Sequence, residues 1–403
     1  MSDTSVSCDL VSFQEQAIGF IEANCSKRGG GGGQIVGDGV TEARAFQSAL
    51  ATAGLAGLTY PAEFGGAGLT KEHQEAFDEI STAWHLPNQA LAISHGMCLP
   101  MLNQFGTDTQ RSTFMPDNIS GRTIWCQMFS EPGAGSDVAG LSTRAIRDGD
   151  QWVLNGQKVW TSGAHYSDYG IVIARTDPNV PKHQGLSMFI VDVADPAIDV
   201  RPLRQISGAE GFNEVFFTDL HIPVDWLLGD LNQGWSLALA MLMFERVSIG
   251  TGAGALAGEW QSQRLINLAE QLDQTQDPCV RQGLADLWIR ERIKVFVGKR
   301  IRDAVSAGKV PGPEGSIAKL NGALLARSIR DVSMQLLGPA GQAWEPEGGT
   351  GEQWSNFCLA AAAASIAGGT DEVQRNIIGE RVLGLPREPN PFKDVAWEQV
   401  PRN

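Results

Sequence analysis

The chain has 403 residues, 42% of them hydrophobic and 19% charged, so a large core is possible and one to three domains would fit. A formal net charge of −15 argues against a nucleic-acid or anionic-membrane surface. It leaves room for a small anionic cofactor held by local backbone N–H groups. The N-terminus is polar and acidic, unlike a signal peptide, and no apolar run reaches transmembrane length. Cys8, Cys25, Cys98, Cys126, Cys279 and Cys358 form no Cys-x-x-Cys pair and read as reduced thiols. The six histidines show no metal spacing, so no metal is expected. These features suit a cytoplasmic protein.

Residues 10–27 carry a helical stripe of Leu10, Val11, Phe13, Ala17, Ile18 and Ile21. Gly29 to Gly33 read as a flexible loop, with no Lys-Ser/Thr to make it a phosphate cradle. Helical patterns follow at 41–55, 71–84, 87–105 and 108–115, so residues 1–124 form an N-terminal helical domain. From Ile124 the texture changes. Strand-like runs at 123–129, 151–154, 158–161, 170–174, 186–191, 200–203 and 213–220 alternate with turn signals. Asn155-Gly156 between two apolar runs reads as a hairpin turn. Residues 125–232 are thus a small β-barrel or sandwich. Helical patterns at 235–272, 278–307, 313–338, 353–367 and 370–383 make residues 233–403 a C-terminal helical, four-helix-type bundle. The class is α+β and multidomain.

The first bundle helix, roughly Trp235 to Gly258, is apolar on nearly every face, which predicts burial. Between Asp230 and Glu259 its only charged side chains are Glu245 and Arg246. A carboxylate buried there needs a partner or a task, so Glu245 reads equally as half of an ion pair with Arg246 or as a general base. Gly252-Ala-Gly254-Ala-Leu-Ala257 matches a dinucleotide-fold text but lies inside this helix, where close packing explains it better. In the β region, Ser130-Glu131-Pro132-Gly133-Ala134-Gly135-Ser136-Asp137 is a turn that exposes backbone N–H groups to a ligand. Trp160-Thr161-Ser162 offers a ring face and two hydroxyls to a planar ligand, or else places Trp160 in the barrel core.

These two stretches together resemble the acyl-CoA dehydrogenase family, with its Thr-Glu-Pro-Gly-Ala-Gly-Ser-Asp and Asn-Gly-x-Lys-x-Trp-Ile-Thr-Asn motifs. Leu58 to Gly68, Asn213 to Val224, Gln335-Leu-Leu-Gly338 and Gly369-Thr370-Asp-Glu372-Val-Gln-Arg375 resemble further family segments. The resemblance implies the family's helix–β–helix fold and bound FAD. It implies that Gln127, Phe129, Ser130, Gly135 and Ser136 hold the flavin and the thioester end of the substrate. Trp160 would flank the isoalloxazine ring, with Thr161 and Ser162 beside N5 and O4. Thr370 and Glu372 would meet the flavin nucleotide, and Gln335 and Gly338 the adenine half of a flavin in a neighbouring subunit. Ser136, Arg246 and Gly368 would line the acyl-CoA site.

The sequence departs from the family pattern in two places. Its usual catalytic Glu precedes the C-terminal Gly-Thr, where this chain has Gly368. A minority branch, similar to the isovaleryl and long-chain enzymes, carries the Glu just before an Arg on the first bundle helix, and that position is Glu245. The implied reaction is α,β-dehydrogenation of an acyl-CoA thioester, with Glu245 taking the α-proton and a hydride passing to flavin N5. The family's Arg-x-x-Phe-Gly clasp on a partner's flavin is also missing, since that region reads Glu270-Gln-Leu-Asp-Gln-Thr-Gln-Asp277. This is similar to actinobacterial acyl-CoA dehydrogenases of sterol side-chain breakdown, some of them heterotetramers of unlike chains. A homo- or hetero-tetramer and an electron-transfer flavoprotein as acceptor are implied. The alternatives are a same-fold flavin monooxygenase or oxidase, or a non-catalytic subunit completing a partner's site.

Overall fold

The computed structural model describes residues 3–27, 39–250, 261–306, 312–343 and 350–401. The glycine run at 29–33 and the stretch 251–258 lie outside them. Internal contacts divide the chain into two compact units. One comprises Met1–Leu203, Glu210–Phe244 and Pro391–Asn403, the other Arg204–Ala209 and Glu245–Asn390.

The first unit opens with α1 (Asp3–Asn24), a short β1 (Ser26–Lys27), α2 (Val40–Thr52), α3 (Lys71–Ser81) and β2 (Trp84–His85), which pairs with β1. The expected helix over 87–105 is broken into a 3-10 turn, a π turn over Ser94–Cys98 and α4 (Leu99–Phe105). Next comes α5 (Asp108–Ile119), which runs on through Pro116. A capping box starts it: Gln110 N–H donates to Thr107 Oγ1 at 3.1 Å, and Thr107 N–H to Gln110 Oε1 at 3.0 Å.

The β strands are β3 (Trp125–Met128), β4 (Arg144–Asp148), β5 (Gln151–Ser162), β6 (Tyr169–Arg175), β7 (Leu186–Asp192), β8 (Ile198–Leu203), β9 (Phe212–Pro223) and β10 (Leu227–Leu228). They form one eight-stranded sheet in the order β10-β7-β6-β4-β5-β9-β8, with β3 parallel to β6. One face of the strands closes on a shared core that includes Trp152, Phe189, Val215 and Phe217. The other face of β6 and β7, Ile171, Ile173, Met188 and Ile190, packs with Phe114, Leu237 and Met241. Strands covered on both faces read as near-continuous apolar runs, as 170–174 and, apart from Ser187, 186–191 do.

Asn155-Gly156 is not a hairpin. It lies mid-strand in β5, where the pairing with β9 shifts between Leu154 and Gly156. Asn155 Oδ1 accepts the Asp219 N–H at 2.9 Å, and its Nδ2 donates to Asp219 Oδ1 at 3.0 Å. Asp219 itself has φ 50°. A Cβ at Gly156 would lie 2.4 Å from Thr143 Oγ1. The glycine is needed for close strand approach at a bulge, not for a reversal. The hairpin is Asp148-Gly149-Asp150, joining β5 to β4, a strand absent from the expected set.

α6 (Gly234–Gly250) spans both units of the chain. Among its described side chains Leu237, Ala238 and Met241 are buried, but Ser236 and Leu239 are exposed and Glu245 is half-buried, so Trp235–Glu245 is not buried on every face; the rest of the expected helix, 246–258, carries no described side chain. The second unit continues with α7 (Gln261–Gln271), α8 (Pro278–Ser306), α9 (Glu314–Leu337), α10 (Thr350–Ala360) and α11 (Asp371–Ile377). Leu265 and Leu268, Leu284 and Leu287, Leu325 and Ile329, and Trp354 bring α7 to α10 onto one core. Buried Glu291 of α8 caps α7, accepting the Gln261 N–H at 2.8 Å.

Candidate active site

The first group of candidate residues lies where β3 runs into the Ser130–Asp137 turn. That turn is pinned by a pair which sequence reasoning missed. Lys158 of β5 is 0% exposed, and its ammonium donates to Glu131 Oε1 at 2.8 Å and to Phe129 O at 3.0 Å. Glu131, also buried, accepts the Ser142 and Thr143 N–H groups at 2.6 and 2.9 Å. Burial pushes the Lys158 ammonium down to about 8 although Glu131 pulls it back up. Burial pushes the Glu131 carboxyl up, but Lys158, Thr143 and Ser142 together hold it below its ordinary value. The Val159 N–H donates to Ser130 O at 2.9 Å, so Phe129, Ser130 and the strand bearing Trp160 are held together. The available signal was a Lys at an inward strand position beside a Glu-Pro-Gly turn.

Trp160 is 60% exposed and has φ 60°, at a second bulge of β5 between Lys158 and Thr161. The barrel-core alternative for this Trp is therefore excluded. A left-handed backbone at a bulky residue is an outlier, and the indole gains only an edge contact with Phe212 at 5.9 Å. The bulge turns Thr161 inward, 2% exposed, and its hydroxyl has no hydrogen-bond partner. The buried Gln127 Nε2 likewise has none. A buried polar atom without a partner costs about 1–3 kcal/mol, so a partner from outside the chain is the economical explanation. Ser162 is half-buried, while Gly135 and Ser136 are exposed. A Cβ at Gly133 or Gly135 would meet nothing within 4 Å, which leaves open space over the turn. A planar, polar-edged group such as a flavin ring fits this donor set. A cavity of about 520 Å³ lies elsewhere in the β strands, lined by Thr123, His165, Asp168 and Asp192, and none of the expected site residues lines it.

The second group lies in the helical unit. Glu245 is half-buried rather than buried, and the Arg246 side chain is outside the described residues. Among the described residues, Lys319 of α9 is one cation that responds to Glu245. Burial pushes the Lys319 ammonium down, while Asp371, Glu245 and Glu372 hold it up. Lys319 Nζ lies 3.8 Å from Asp371 Oδ1, and Arg327 pairs with the other oxygen of the same carboxylate. Thr370 caps α11, its hydroxyl accepting the Val373 N–H at 3.2 Å. Gly368 and Gly369 have φ 66° and 87°. Gln374 Nε2 donates to both their carbonyls, at 3.0 and 3.2 Å, and fixes that turn. Glu372 is exposed and pairs with Arg375 at 3.5 Å. Gln335 is exposed near the end of α9, where Gly338 terminates the helix with φ 54°. Gln335 and Gly338 thus sit apart from the Gly368–Glu372 turn along the chain, each at its own helix end. Among the described residues no group of three or more His, Cys, Asp or Glu is placed to hold a metal, and no helix is long and apolar enough to cross a membrane.

In chain order the fold runs helices, a β region and helices. The family models for the N-terminal, middle and C-terminal domains of acyl-CoA dehydrogenase match residues 17–122, 126–220 and 232–383. Acyl-CoA dehydrogenase IpdE1 of Mycobacterium tuberculosis (strain ATCC 25618 / H37Rv) is 37% identical over 391 residues, covering 94% of this chain and 99% of its own. Acyl-CoA dehydrogenase FadE29 of the same strain is 31% identical, covering 83% and 87%. The solved Tcur3481-Tcur3483 steroid ACAD matches with a TM-score of 0.77 at 26% identity, covering 96% of this chain and 99% of that one. The ChsE4-ChsE5 complex from Mycobacterium tuberculosis gives 0.74 at 26%, covering 94% and 98%. The chain belongs to the acyl-CoA dehydrogenase family and is an enzyme of that family.

Proposed function

We propose that the chain binds FAD and desaturates an acyl-CoA thioester between its α and β carbons, with Glu245 as the base. The observation that carries the flavin assignment is two unpartnered buried donors, Gln127 Nε2 on β3 and Thr161 Oγ1 on β5, the latter next in the chain to an exposed, left-handed Trp160. Trp160 would cover the ring, and Thr161, Gln127 and Ser162 would hydrogen-bond its edge. The bound flavin supplies the two-electron acceptor for the β-hydrogen. Glu245 takes the α-proton onto a carboxylate oxygen. Backbone N–H groups of the Ser130–Ser136 turn are candidates to hold the thioester oxygen as charge develops on it. Within the helical unit Lys319 is a cation that feels the Glu245 charge, and Gly368, Thr370 and Glu372 keep the roles that the family resemblance implies. A monooxygenase or oxidase reading leaves Glu245 without a role.

Gly368 carries no side chain where the family's usual base stands, and this supports a bulky or branched acyl group. The steroid designation of the Tcur3481-Tcur3483 neighbour points the same way. No Arg or Phe occupies Glu270–Asp277, so a flavin clasp would come from an unlike chain, in line with the ChsE4-ChsE5 neighbour being a complex. Trp288, Ile289, Ile293 and Phe296 form an exposed stripe on α8, and a stripe of this kind suits a subunit interface. Anaerobic titration of the purified yellow protein with butyryl-, isovaleryl- and steroid side-chain acyl-CoAs tests this. Bleaching by the bulky thioesters in preference to butyryl-CoA is expected. Failure to bind FAD when it is supplied in excess, or bleaching of the FAD-loaded protein by none of them, would overturn the reading.

A further inference from the structure

The C-terminal residues 391–401 lie beyond every family-model match, the last of which stops at residue 383. They nevertheless pack within the first unit. The Trp397 ring lies 4.2 Å from the Arg175 guanidinium carbon, and its Nε1–H donates to Gly140 O at 3.4 Å. The Trp397 N–H donates to Val180 O at 2.9 Å, the Glu398 N–H to Pro178 O at 3.2 Å, and Ala396 bridges Pro181. Under this cover Arg175 is 3% exposed. Its guanidinium donates to Ala139 O at 2.6 Å, Lys182 O at 3.2 Å and Leu141 O at 3.3 Å. Residues 139–141 directly follow the Ser130–Asp137 turn, and Lys182 grips Asp137 at 2.7 Å.

The turn therefore has two anchors. Lys158 and Glu131 fix its start. Arg175 fixes its end, and the Trp397 ring of the tail lies over Arg175. An Arg over an indole face gains from the ring quadrupole, and a guanidinium shielded from water makes stronger bonds to carbonyls. Between the anchors the turn is closed by a Glu131–Ala134 backbone pair, at 3.0 and 3.1 Å, with Ala134 buried, while Gly133, Gly135 and Ser136 are exposed with open space over the two glycines.

We propose that residues 391–401 are a positioning strap, with Trp397 as the positioning residue, that presets the Ser130–Asp137 turn for flavin and thioester. The proposal rests on the flavin and acyl-CoA reading of that turn. Pre-set loops bind with a smaller ordering cost, so the strap acts on affinity. It touches no reacting atom and leaves the chemical step alone.

The test compares the full chain with Trp397→Ala, Trp397→Phe and a chain ending at Asn390. Amide hydrogen exchange of residues 132–141 is read in flavin-free protein, and flavin dissociation constant, KM and kcat in flavin-loaded protein. Trp397→Ala and the truncation should speed exchange there about ten-fold, and raise the flavin dissociation constant and KM on the order of ten-fold. kcat at saturation should stay within about three-fold. Trp397→Phe keeps a ring over Arg175 without the N–H and should fall between. Unchanged exchange, flavin affinity and KM in Trp397→Ala would overturn the strap, whatever happens to the melting temperature. A wild-type chain that binds flavin but is not reduced by any acyl-CoA would overturn the dehydrogenase reading instead, and the exchange arm would still decide the strap.

Discussion

Lys158→Met removes the cation that, among the described residues, faces the buried Glu131 carboxylate at hydrogen-bond distance, 2.8 Å away. Met fills much of the lysine stem's volume, so the loss is mainly electrostatic. The stranded carboxylate keeps the Ser142 and Thr143 N–H donors. Breaking a buried pair from one side typically costs about 3–5 kcal/mol, and these donors place the case near about 3. That corresponds to a melting-point drop of roughly 6–12 °C for a unit of this size. The assay is urea and thermal unfolding of flavin-free protein, run beside Glu131→Gln and the double variant. The double variant should be at least about 2 kcal/mol more stable than additivity predicts, because the single variants count one interaction twice. A cost below about 1 kcal/mol for Lys158→Met, or an additive double variant, would show that the pair does not anchor the turn.

The same lysine sets an alkaline response. It gives up its proton near 8 in the folded chain against its ordinary 10.5, so between those values the unfolded chain binds more protons and stability rises with pH. Urea midpoints from pH 8 to 10 should carry that upward contribution in the wild type and lose it in Lys158→Met, and identical slopes would contradict it. Trp160→Gly relieves the left-handed backbone at φ 60° and should stabilise flavin-free protein by about 1 kcal/mol while weakening flavin retention. Destabilisation with full flavin content would mean the indole serves the fold.

Much of the architecture was legible because its signals are local. The helical stripes, the turn-punctuated strands and the return of helices follow from side-chain periodicity. Glu245 stood out since a long apolar helix made it conspicuous, although among the described side chains Ser236 and Leu239 are exposed and Glu245 is only half-buried. Asn155-Gly156 misled because the dipeptide suits any backbone with unusual φ. Its partner Asp219, 64 residues away, decided between bulge and turn. Lys158 was passed over because lysine is normally a surface residue, and only the β5 bulge and Glu131 make an interior place for it. The tail was illegible for the same kind of reason: Trp397 is one aromatic among polar residues until Arg175 is seen beneath it.

Anaerobic stopped-flow mixing of the flavin-loaded protein with the acyl-CoA that bleaches it best, wild type against Glu245→Gln, tests the central claim most directly. The variant keeps the shape of the side chain and removes the base. The account predicts full flavin content in both proteins and a flavin-bleaching rate lower in the variant by about 10²–10⁴-fold. Bleaching of Glu245→Gln at the wild-type rate would contradict it.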